Sequence, residues 1–457
     1  MRRGLSRHNN RSRGGATAFS PLSLFADGSQ GVWYDDSLTS SMFQDSAGTI
    51  AAALEQPVGK QLDLSGNNNH RTQSTNANRP TLSARYNLLT KTEQFDNAAW
   101  SATSMTVSAT KVTAPDGTVT AQKLIPTAPN VIHQFGQGFT GTGVLTGTVY
   151  VQANGYNYFS IANNPNNYIH FDLTNGNIST LGAGWGSATC VAQSSGWYKI
   201  TYANSASQSW GFAWYYVGNV FTALGNSAPP AFIGDGTSGV NVWHPDIRFS
   251  DQATGLIPTY QRVDTSSVYD TVGFPQYLKY GGINSSLSTA SINFTATAQM
   301  SAFSGVRKLS DAAAGILVEL SADANTNNGS FFVAAPGSAA NNYGIRARGA
   351  SGTGGYNPTT FIAPITNVVA SQLNLAGATV TECVIPRING VVNQTNISAV
   401  LPGGGNFGTY PLYFGARAGT SAYFNGYEFQ TIIVGKTLTA TEIANTETYV
   451  NSKTLAY

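Results

Sequence analysis

Residues 168–173 read YIHFDL, and the alternation of side chains in this stretch decides the fold class. In an extended strand Ile169, Phe171 and Leu173 all point to one face, because successive side chains lie on opposite faces. Residues 144–151 alternate similarly, and most other segments do so too before they end in Gly, Asn, Asp or Pro. This pattern is typical of antiparallel strands and predicts an all-β protein.

Two local signals add detail to this prediction. Asn389-Gly390, inside the sequence RINGVV, indicates a tight hairpin, because both central residues of that turn take φ > 0. Helical periodicity is scarce, and its clearest instance is TLTATEIANTETYVNSK at residues 437–453. There Thr439 and Glu442 have the spacing of a capping box. We therefore predict one short C-terminal helix.

The composition agrees with a β protein that has an uncharged polar surface. The chain has 457 residues, which suggests more than one domain, and 41% of them are hydrophobic. Only 10% are charged, against about 25% in an average soluble protein. Such a surface is typical of extracellular or virion-exposed β proteins. It argues against a helical cytosolic enzyme, whose exposed helix faces would need Glu and Lys.

Positive charge is concentrated at the N-terminus. The rest of the chain has 19 Lys+Arg and 22 Asp+Glu, a formal charge of −3. A basic arm of this kind either binds an acidic protein surface or nucleic acid, or is a solvated tail. It has no apolar segment that would make it a signal peptide, and no run of about 18 apolar residues predicts a membrane span. The arm contains Arg2, Arg3, Arg7, Arg11 and Arg13.

Several longer stretches carry a resemblance to a known family. They are FADGSQGVWYD from Phe25, FQDSAG from Phe43, LDLSGNNNH from Leu62, NLLTKTEQFDNAAW from Asn87 and FSGVRKLSDAA from Phe303. Together they resemble a family of virion structural proteins of tailed phages and prophages, over nearly everything after residue 20. The resemblance implies a fibre, spike or decoration subunit in the virion, which forms a dimer or trimer. It also implies that other virion proteins (capsid, neck or tail) are partners, and that host polysaccharide is contacted.

The same resemblance predicts two jelly-roll β-sandwich domains, one inserted in the other. In the family an LDxSGNxNH turn is soon followed by a strand of the form FDGxDDYL. Here the corresponding sequence, YGGINSSL, begins only at Tyr280, about 200 residues later. An insertion is the simplest explanation, since sandwiches commonly have chain ends that lie close together. The predicted parts are a basic arm at 1–19, a laminin-G/concanavalin-like sandwich at 20–86 plus 264–457, and an inserted carbohydrate-binding-module-like jelly-roll at 87–262.

The LDLSGNNNH stretch raises the question of a metal site. Asp63, Asn67 and Asn69 offer oxygen donors in a short loop, as Ca²⁺ requires. However, the spacing is not that of an EF-hand, and YGGINSSL lacks the acidic pair of the family's strand. The alternative is an Asx-type turn with Gly66 or an asparagine in the left-handed region. We favour the turn and expect no cofactor, with Ca²⁺ as the other hypothesis.

Aromatic residues in the predicted insertion suggest sugar binding. Aromatic rings bind the apolar faces of sugars, and neighbouring polar side chains bind their hydroxyl groups. Trp214 and Tyr215 are adjacent, so a strand must point them to opposite faces. For each single aromatic residue the alternative is packing in the core. The candidates for a glycan or partner surface are Trp185, Trp197, Trp210, Trp214, Tyr215 and Tyr216.

Signs of catalysis are weak. Cleavage of a glycan needs two carboxylates roughly 5–10 Å apart across a cleft, and the chain has only seven glutamates. It has no G-x-S-x-G or H-E-x-x-H motif. We therefore predict a non-enzymatic virion protein that contacts host glycans, without membrane or nucleic-acid partners. The alternatives are a glycan-degrading spike enzyme and a purely architectural capsid cement protein without a ligand.

Overall fold

The structure, a computed structural model, describes residues 19–457 except 165–166, 207, 224, 226, 254 and 396–399. The side chains of 141–142, 164 and 208–212 are also outside the described part. The protein is all-β with sandwich architecture and a C-terminal helix, as the sequence predicts. Strands in its four large sheets pair antiparallel.

The described strands differ in length along the chain. Before residue 84 they are short: β1 (Gly31–Asp35), β2 (Met42–Phe43), β3 (Lys60–Gln61), β4 (Arg71–Thr72) and β5 (Thr81–Ser83). Most of those in the middle of the chain are longer: β6 (Ser101–Thr103), β7 (Met105–Val107), β8 (Val112–Thr113), β9 (Val119–Pro126), β10 (His133–Gly143), β11 (Leu145–Asn154), β12 (Tyr158–Asn164), β13 (Asn167–Asp172), β14 (Trp185–Ala192), β15 (Trp197–Asn204), β16 (Gln208–Gly218) and β17 (Gly239–Phe249).

The chain from Val263 onward contains further strands and both α-helices of the described part. The strands are β18 (Val263–Thr265), β19 (Val268–Tyr269), β20 (Tyr277–Gly281), β21 (Leu287–Thr289), β22 (Ile292–Asn293), β23 (Gln299–Lys308), β24 (Ile316–Leu320), β25 (Ser330–Ala334), β26 (Gly344–Arg348), β27 (Thr353–Tyr356), β28 (Ile365–Asn374), β29 (Val384–Ile388), β30 (Val391–Val392), β31 (Thr409–Tyr410), β32 (Leu412–Phe414) and β33 (Asn425–Val434). The helices are the single turn α1 (Val380–Cys383) and the longer α2 (Ala440–Thr454).

Strands from both ends of the chain share two sheets. The eight-stranded sheet has the order β30-β29-β28-β23-β33-β20-β5, and β1 also pairs with β33. The nine-stranded sheet has the order β2-β3-β4-β21-β32-β24-β25-β26-β27. One apolar core lies between them, with Val32, Leu278 and Val306 packing with Val318 and Phe331. We call this pair of sheets the interrupted sandwich.

The strands between β5 and β18 form two other sheets. The five-stranded sheet has the order β13-β12-β16-β10-β6, and the seven-stranded sheet has the order β14-β15-β11-β17-β9-β7 with β8 on β9. Their shared core includes Phe135, Ile161, Val149, Ile200 and Val242. We call this pair the middle sandwich.

The chain passes between the two sandwiches through adjacent segments. Gln261 Oε1 accepts hydrogen bonds from the N–H groups of Tyr86 at 2.7 Å and Asn87 at 3.1 Å. In return, Asn87 Nδ2 donates to the Gln261 carbonyl at 3.0 Å. Gln261 Nε2 also donates to Ala84 O at 2.8 Å, and Asn87 and Gln261 are fully buried. Close ends are what an inserted domain needs, and the domain boundaries stay our interpretation of this pairing.

An ion pair between a fully buried arginine and a half-buried aspartate also joins the two sandwiches. Arg307, on β23, donates from Nη2 to Asp251 Oδ1 at 2.7 Å and from Nε to Oδ2 at 2.8 Å. Its guanidinium lies over the rings of Phe249 at 4.8 Å and Tyr427 at 5.2 Å. Phe249 is the last residue of β17 and Asp251 lies two residues after it, so both belong to the middle sandwich. The eight-stranded sheet therefore packs its outer face against the middle sandwich.

The two local signals of the sequence are confirmed. Asn389 and Gly390 have φ of +50° and +78° and connect β29 to β30. Thr439 Oγ1 accepts from the Glu442 N–H at 3.3 Å, and Glu442 Oε2 accepts from the Thr439 N–H at 2.8 Å, so the capping box begins α2. None of the described helices is long and apolar enough to cross a membrane.

Candidate functional site

A large cavity lies where the two sandwiches meet. It encloses about 410 Å³, and we call it the junction cleft. The side belonging to the interrupted sandwich is formed by Glu55, Ser83, Arg85, Tyr277, Lys279 and Tyr427. The other side is formed by the middle sandwich and by the segment that leads into it after β5, which we call the entry segment. Its lining residues are Leu88, Thr90, Gln137, Gly138, Phe139 and Thr140.

Strand alternation positions the first side. Tyr277 and Lys279 are two residues apart on β20, so both point to the outer face of the eight-stranded sheet. Lys279 pairs across to Tyr427, and the rings of Tyr277 and Tyr427 stack with centroids 4.1 Å apart. Both tyrosines are buried, whereas Lys279 is exposed. The sheet therefore presents an ammonium group beside a rigid aromatic pair.

The second side is held by one glutamine. Gln137 Oε1 accepts from the Thr90 N–H at 2.6 Å, and Gln137 Nε2 donates to Thr90 O at 2.8 Å. These bonds fix the entry segment against β10. The pairing of β10 with β16 shifts register between Gly138 and Gly141, where the strand borders the cleft. Phe139 is half-buried there and packs on the core of the middle sandwich.

Arg85 is anchored by main-chain carbonyl groups. Its Nε donates to Asn87 O at 3.0 Å, and its Nη2 donates to Leu88 O at 2.8 Å and to Leu89 O at 3.4 Å. Burial lowers the pKa of the guanidinium from its usual value. Because the carbonyl groups are neutral, they orient the guanidinium without cancelling its charge.

Glu55 is the one carboxylate among the residues that line the junction cleft. Its Oε1 accepts from Ser83 Oγ at 2.5 Å and from Tyr269 OH at 2.7 Å. Its backbone has φ of +59°, an uncommon value for a residue other than glycine. In the described part of the chain, no ion pair joins Glu55 to Arg85 or to Lys279. The cleft thus offers separated donors and an acceptor, as a ligand with many hydroxyl groups requires.

A smaller cavity of about 130 Å³ lies on the outer face of the seven-stranded sheet. Two of its three charged side chains pair with each other: Arg248 Nε donates to Asp246 Oδ1 at 2.8 Å, and Arg248 Nη1 also donates to Pro258 O at 2.8 Å. The third, Lys199, lies over the Tyr150 ring at 5.9 Å. The junction cleft is therefore the better candidate site.

The structure corrects most of the predicted aromatic surface. Trp185, Trp197, Tyr215 and Tyr216 are all 5% exposed or less, so their rings cannot stack on a sugar. They pack in the interior because the strands that carry them are covered on more than one face. Tyr215, for example, stacks on Phe159 with ring centroids 5.6 Å apart.

Of the two remaining predicted tryptophans, the structure describes the side chain of Trp214 alone. Trp214 is half-buried and packs beside Tyr168 and Tyr216. The side chain of Trp210 lies outside the described residues, as do Arg2, Arg3, Arg7, Arg11 and Arg13 of the predicted arm.

The LDLSGNNNH stretch forms the turn that we favoured. Asp63 Oδ1 accepts from the N–H groups of Trp33 and Ser65, both at 2.9 Å, and Oδ2 accepts from Ser65 Oγ at 2.7 Å and from the Asn69 N–H at 3.0 Å. Gly66 and Asn68 have φ of +89° and +60°.

The two asparagines proposed as metal ligands point their amide N–H groups inward. Asn69 Nδ2 donates to Gly31 O at 2.9 Å, and Asn67 Nδ2 donates to Ser29 O at 3.2 Å. The turn therefore holds the start of β1. In the described ranges, no group of three or more His, Cys, Asp or Glu side chains could hold a metal ion.

Sequence reasoning missed the residues of the junction cleft. Glu55, Arg85, Gln137 and Lys279 lie far apart in the chain and belong to no motif. The available signal was the pair of predicted domain boundaries, because ligand sites occur preferentially at interfaces between domains.

Comparisons with known proteins gave structural similarities only. No family model and no curated protein matched the chain. The binding domain of botulinum neurotoxin serotype G is 11% identical with a TM-score of 0.28, over 43% of this chain and 46% of that one. A Limulus polyphemus SAP-like pentraxin is 11% identical with a TM-score of 0.26, over 36% and 78%. The CBM40 of the Ruminococcus gnavus IT-sialidase is 14% identical with a TM-score of 0.26, over 34% and 96%. The match thus spans less than half of the toxin domain, and all three similarities are weak.

Proposed function

We propose that this chain is a subunit of a phage virion appendage and that it binds host-surface glycan in the junction cleft. The virion part rests on the resemblance of the stretches that begin at Phe25, Leu62, Asn87 and Phe303. The glycan part rests on the make-up of the cleft.

The observation that carries the glycan proposal is the arrangement of Glu55, Arg85 and Lys279 around a cavity of about 410 Å³. Sugar hydroxyl groups both donate and accept, so Glu55 can accept from them while Arg85 and Lys279 donate to them. Phe139 and Leu88 add apolar surface on the opposite side. Sites for small molecules commonly have about this volume and a few convergent polar groups.

Binding without cleavage is part of the proposal. Hydrolysis of a glycosidic bond uses two carboxylates that flank the bond, whereas Glu55 is the single carboxylate that lines the cleft. Release of reducing sugar from capsule or lipopolysaccharide, lost on an Asp→Asn change, would favour the enzyme alternative instead.

The test of the glycan proposal is a glycan array probed with the whole chain and with two tryptophan variants. Thr140 is exposed at the edge of the cleft, so Thr140→Trp fills the cleft without removing a buried contact. Thr237 is exposed in a turn and does not line the cleft, so Thr237→Trp is the matched control. We expect Thr140→Trp to lose binding and Thr237→Trp to keep it. Equal binding by both variants rejects the site.

The remaining parts of the proposal concern assembly. The arm with its five arginines would attach the subunit to capsid, neck or tail, and a dimer or trimer would raise avidity for weakly bound glycans. Deletion of residues 1–19 should abolish incorporation into particles, and full occupancy after the deletion contradicts the anchoring role. Particles that lack the protein but adsorb normally, together with an array that shows no binder, favour an architectural cement protein.

A further inference from the structure

The charges around the junction cleft are not balanced. Lys279 and Arg85 contribute two positive charges, and Glu55 contributes the single negative charge of the lining. The side chain of Lys279 makes no hydrogen bond or ion pair with any residue in the described part of the chain. The bonds of Arg85 go to neutral carbonyl groups through Nε and Nη2. The lining therefore carries a formal charge of one positive unit.

Carboxylates elsewhere in the protein show how a buried cation is neutralised. Several other cations near its interior have carboxylate partners: Arg71 has Glu428 at 2.8 Å, Arg307 has Asp251 at 2.7 Å and Arg387 has Glu447 at 2.7 Å. Half-buried Arg85 has no carboxylate within ion-pair distance in the described structure, although Glu55 borders the same cavity. An anion bound between Arg85 and Lys279 would neutralise the lining.

A saccharide that places one carboxylate in the cleft has the matching charge. Its carboxylate would complete the balance, whereas a doubly charged phosphate would leave the lining negative. Its hydroxyl groups would reach Glu55, whose Oε2 accepts no hydrogen bond among the described contacts. A neutral saccharide could use Glu55 but would leave the one positive charge of the lining uncompensated.

We propose, resting on the glycan-binding function inferred above, that the junction cleft selects saccharides containing uronic acid, with the carboxylate held between Arg85 and Lys279. Arg85 is pre-oriented by its carbonyl partners, so little side-chain freedom is lost on binding. Lys279 is exposed and supplies the second cation of the pair.

The test compares acidic polysaccharides with neutral forms of the same polysaccharides. Uronic-acid polysaccharides are arrayed beside the same preparations after chemical reduction of the carboxyl groups, and the whole chain is titrated on both. We expect the carboxylate form to bind about tenfold tighter or more, since a hydrogen bond between charged groups is stronger than a neutral one. The preference should weaken between about 50 mM and about 500 mM salt.

Variants of Lys279 assign the preference to the cleft. Lys279→Gln should bring the ratio of the two affinities close to one, and Lys279→Arg should restore it. Lys60→Gln, on β3 and outside the cleft, is the control and should keep the ratio of the unmodified chain. Unfolding midpoints of all variants show whether each is folded.

The outcomes separate the two proposals. Equal binding of carboxylate and reduced forms, blocked by Thr140→Trp, rejects the uronic-acid inference and leaves the glycan function standing. A preference that Lys279→Gln does not change also rejects the inference. Absence of binding to either form rejects both.

Discussion

Arg71 and the carboxylates around it form the most deeply buried polar cluster described in the interrupted sandwich. Arg71 Nη1 donates to both oxygens of Glu428, at 2.8 and 2.9 Å, and Nη2 donates to Asp36 Oδ1 at 3.3 Å. The guanidinium lies over the ring of Tyr34 at 4.4 Å. All three charged side chains are fully buried. One arginine thus faces two carboxylates, which favours a proton on one of them.

The pH dependence of stability should report that proton. Burial, reinforced by the nearby Glu428 charge, raises the pKa of Asp36 from 3.8 to about 8. Between these values the folded state holds a proton that the unfolded chain has lost. The contribution of Asp36 to the free energy of unfolding therefore falls as the pH rises from about 4 to about 8, and is lost above about 8.

The Asp36→Asn variant isolates this effect, because its side chain stays neutral. Urea unfolding of both proteins should show the variant gaining stability relative to the unmodified chain as the pH rises from about 4 to about 8. A difference that stays constant over this range would contradict a raised Asp36 pKa.

Asp63 gives a second prediction at this scale. Asp63→Ala leaves the N–H groups of Trp33 and Asn69 without their acceptor, so the free energy of unfolding should fall by about 2–3 kcal/mol. Asp116→Ala is the control, because Asp116 caps an exposed turn through Thr118 alone. Asp116→Ala should lower the free energy of unfolding much less in the same denaturation measurement. Equal losses would mean that the Asp63 turn does not stabilise β1.

The sequence predicted the Asp63 turn but not the Arg71 cluster. The turn is local, and its Asp, Gly and Asn residues have intrinsic preferences for that geometry. The cluster joins Asp36, Arg71 and Glu428, which are brought together only by sheet pairing. The residues that precede and follow each of the three in the sequence do not indicate its partners.

At the scale of elements, the hairpin at Asn389-Gly390 and the helix α2 followed from short-range rules. These rules did not predict which faces of the strands are exposed to solvent. Alternation correctly separated Tyr215 from Trp214, but it gave no information on what covers each face. For this reason the aromatic residues expected at a sugar-binding surface proved to be largely core residues.

The capping box of α2 allows a direct test. Thr439→Ala removes the hydroxyl acceptor of the Glu442 N–H and should lower the free energy of unfolding by about 1 kcal/mol. Thr448→Ala, on the exposed side of the same helix, should leave it unchanged or slightly higher, because alanine has the higher helix propensity. If the two variants have the same unfolding midpoint, the cap does not stabilise the helix.

For the whole molecule, the ion pair of Arg307 and Asp251 holds the two sandwiches together. Asp251→Ala leaves a fully buried guanidinium without its counter-charge and should cost about 3–5 kcal/mol. Asp270→Ala breaks the exposed pair with Arg262 and should cost less than about 1 kcal/mol. Guanidinium-induced unfolding compares the two. Similar losses of free energy of unfolding in the two variants would show that the ion pair of Arg307 and Asp251 does not stabilise the contact between the sandwiches.

The junction cleft belongs to this scale as well. Its two sides come from different sandwiches, so it depends on how they are joined at Asn87 and Gln261. The resemblance to virion proteins pointed to an insertion, and therefore to a junction. The charged lining could not be predicted from the sequence, because residues 55, 85 and 279 border one cavity only in the folded protein.

The most direct test of the glycan-binding cleft is hydrogen exchange of the whole chain with and without the polysaccharide that binds it best. We predict that protection on binding is centred on residues 137–140 and 277–279, from the two sides of the cleft, and that Thr140→Trp abolishes it. Protection confined to another surface, or none at saturating polysaccharide, would contradict the site.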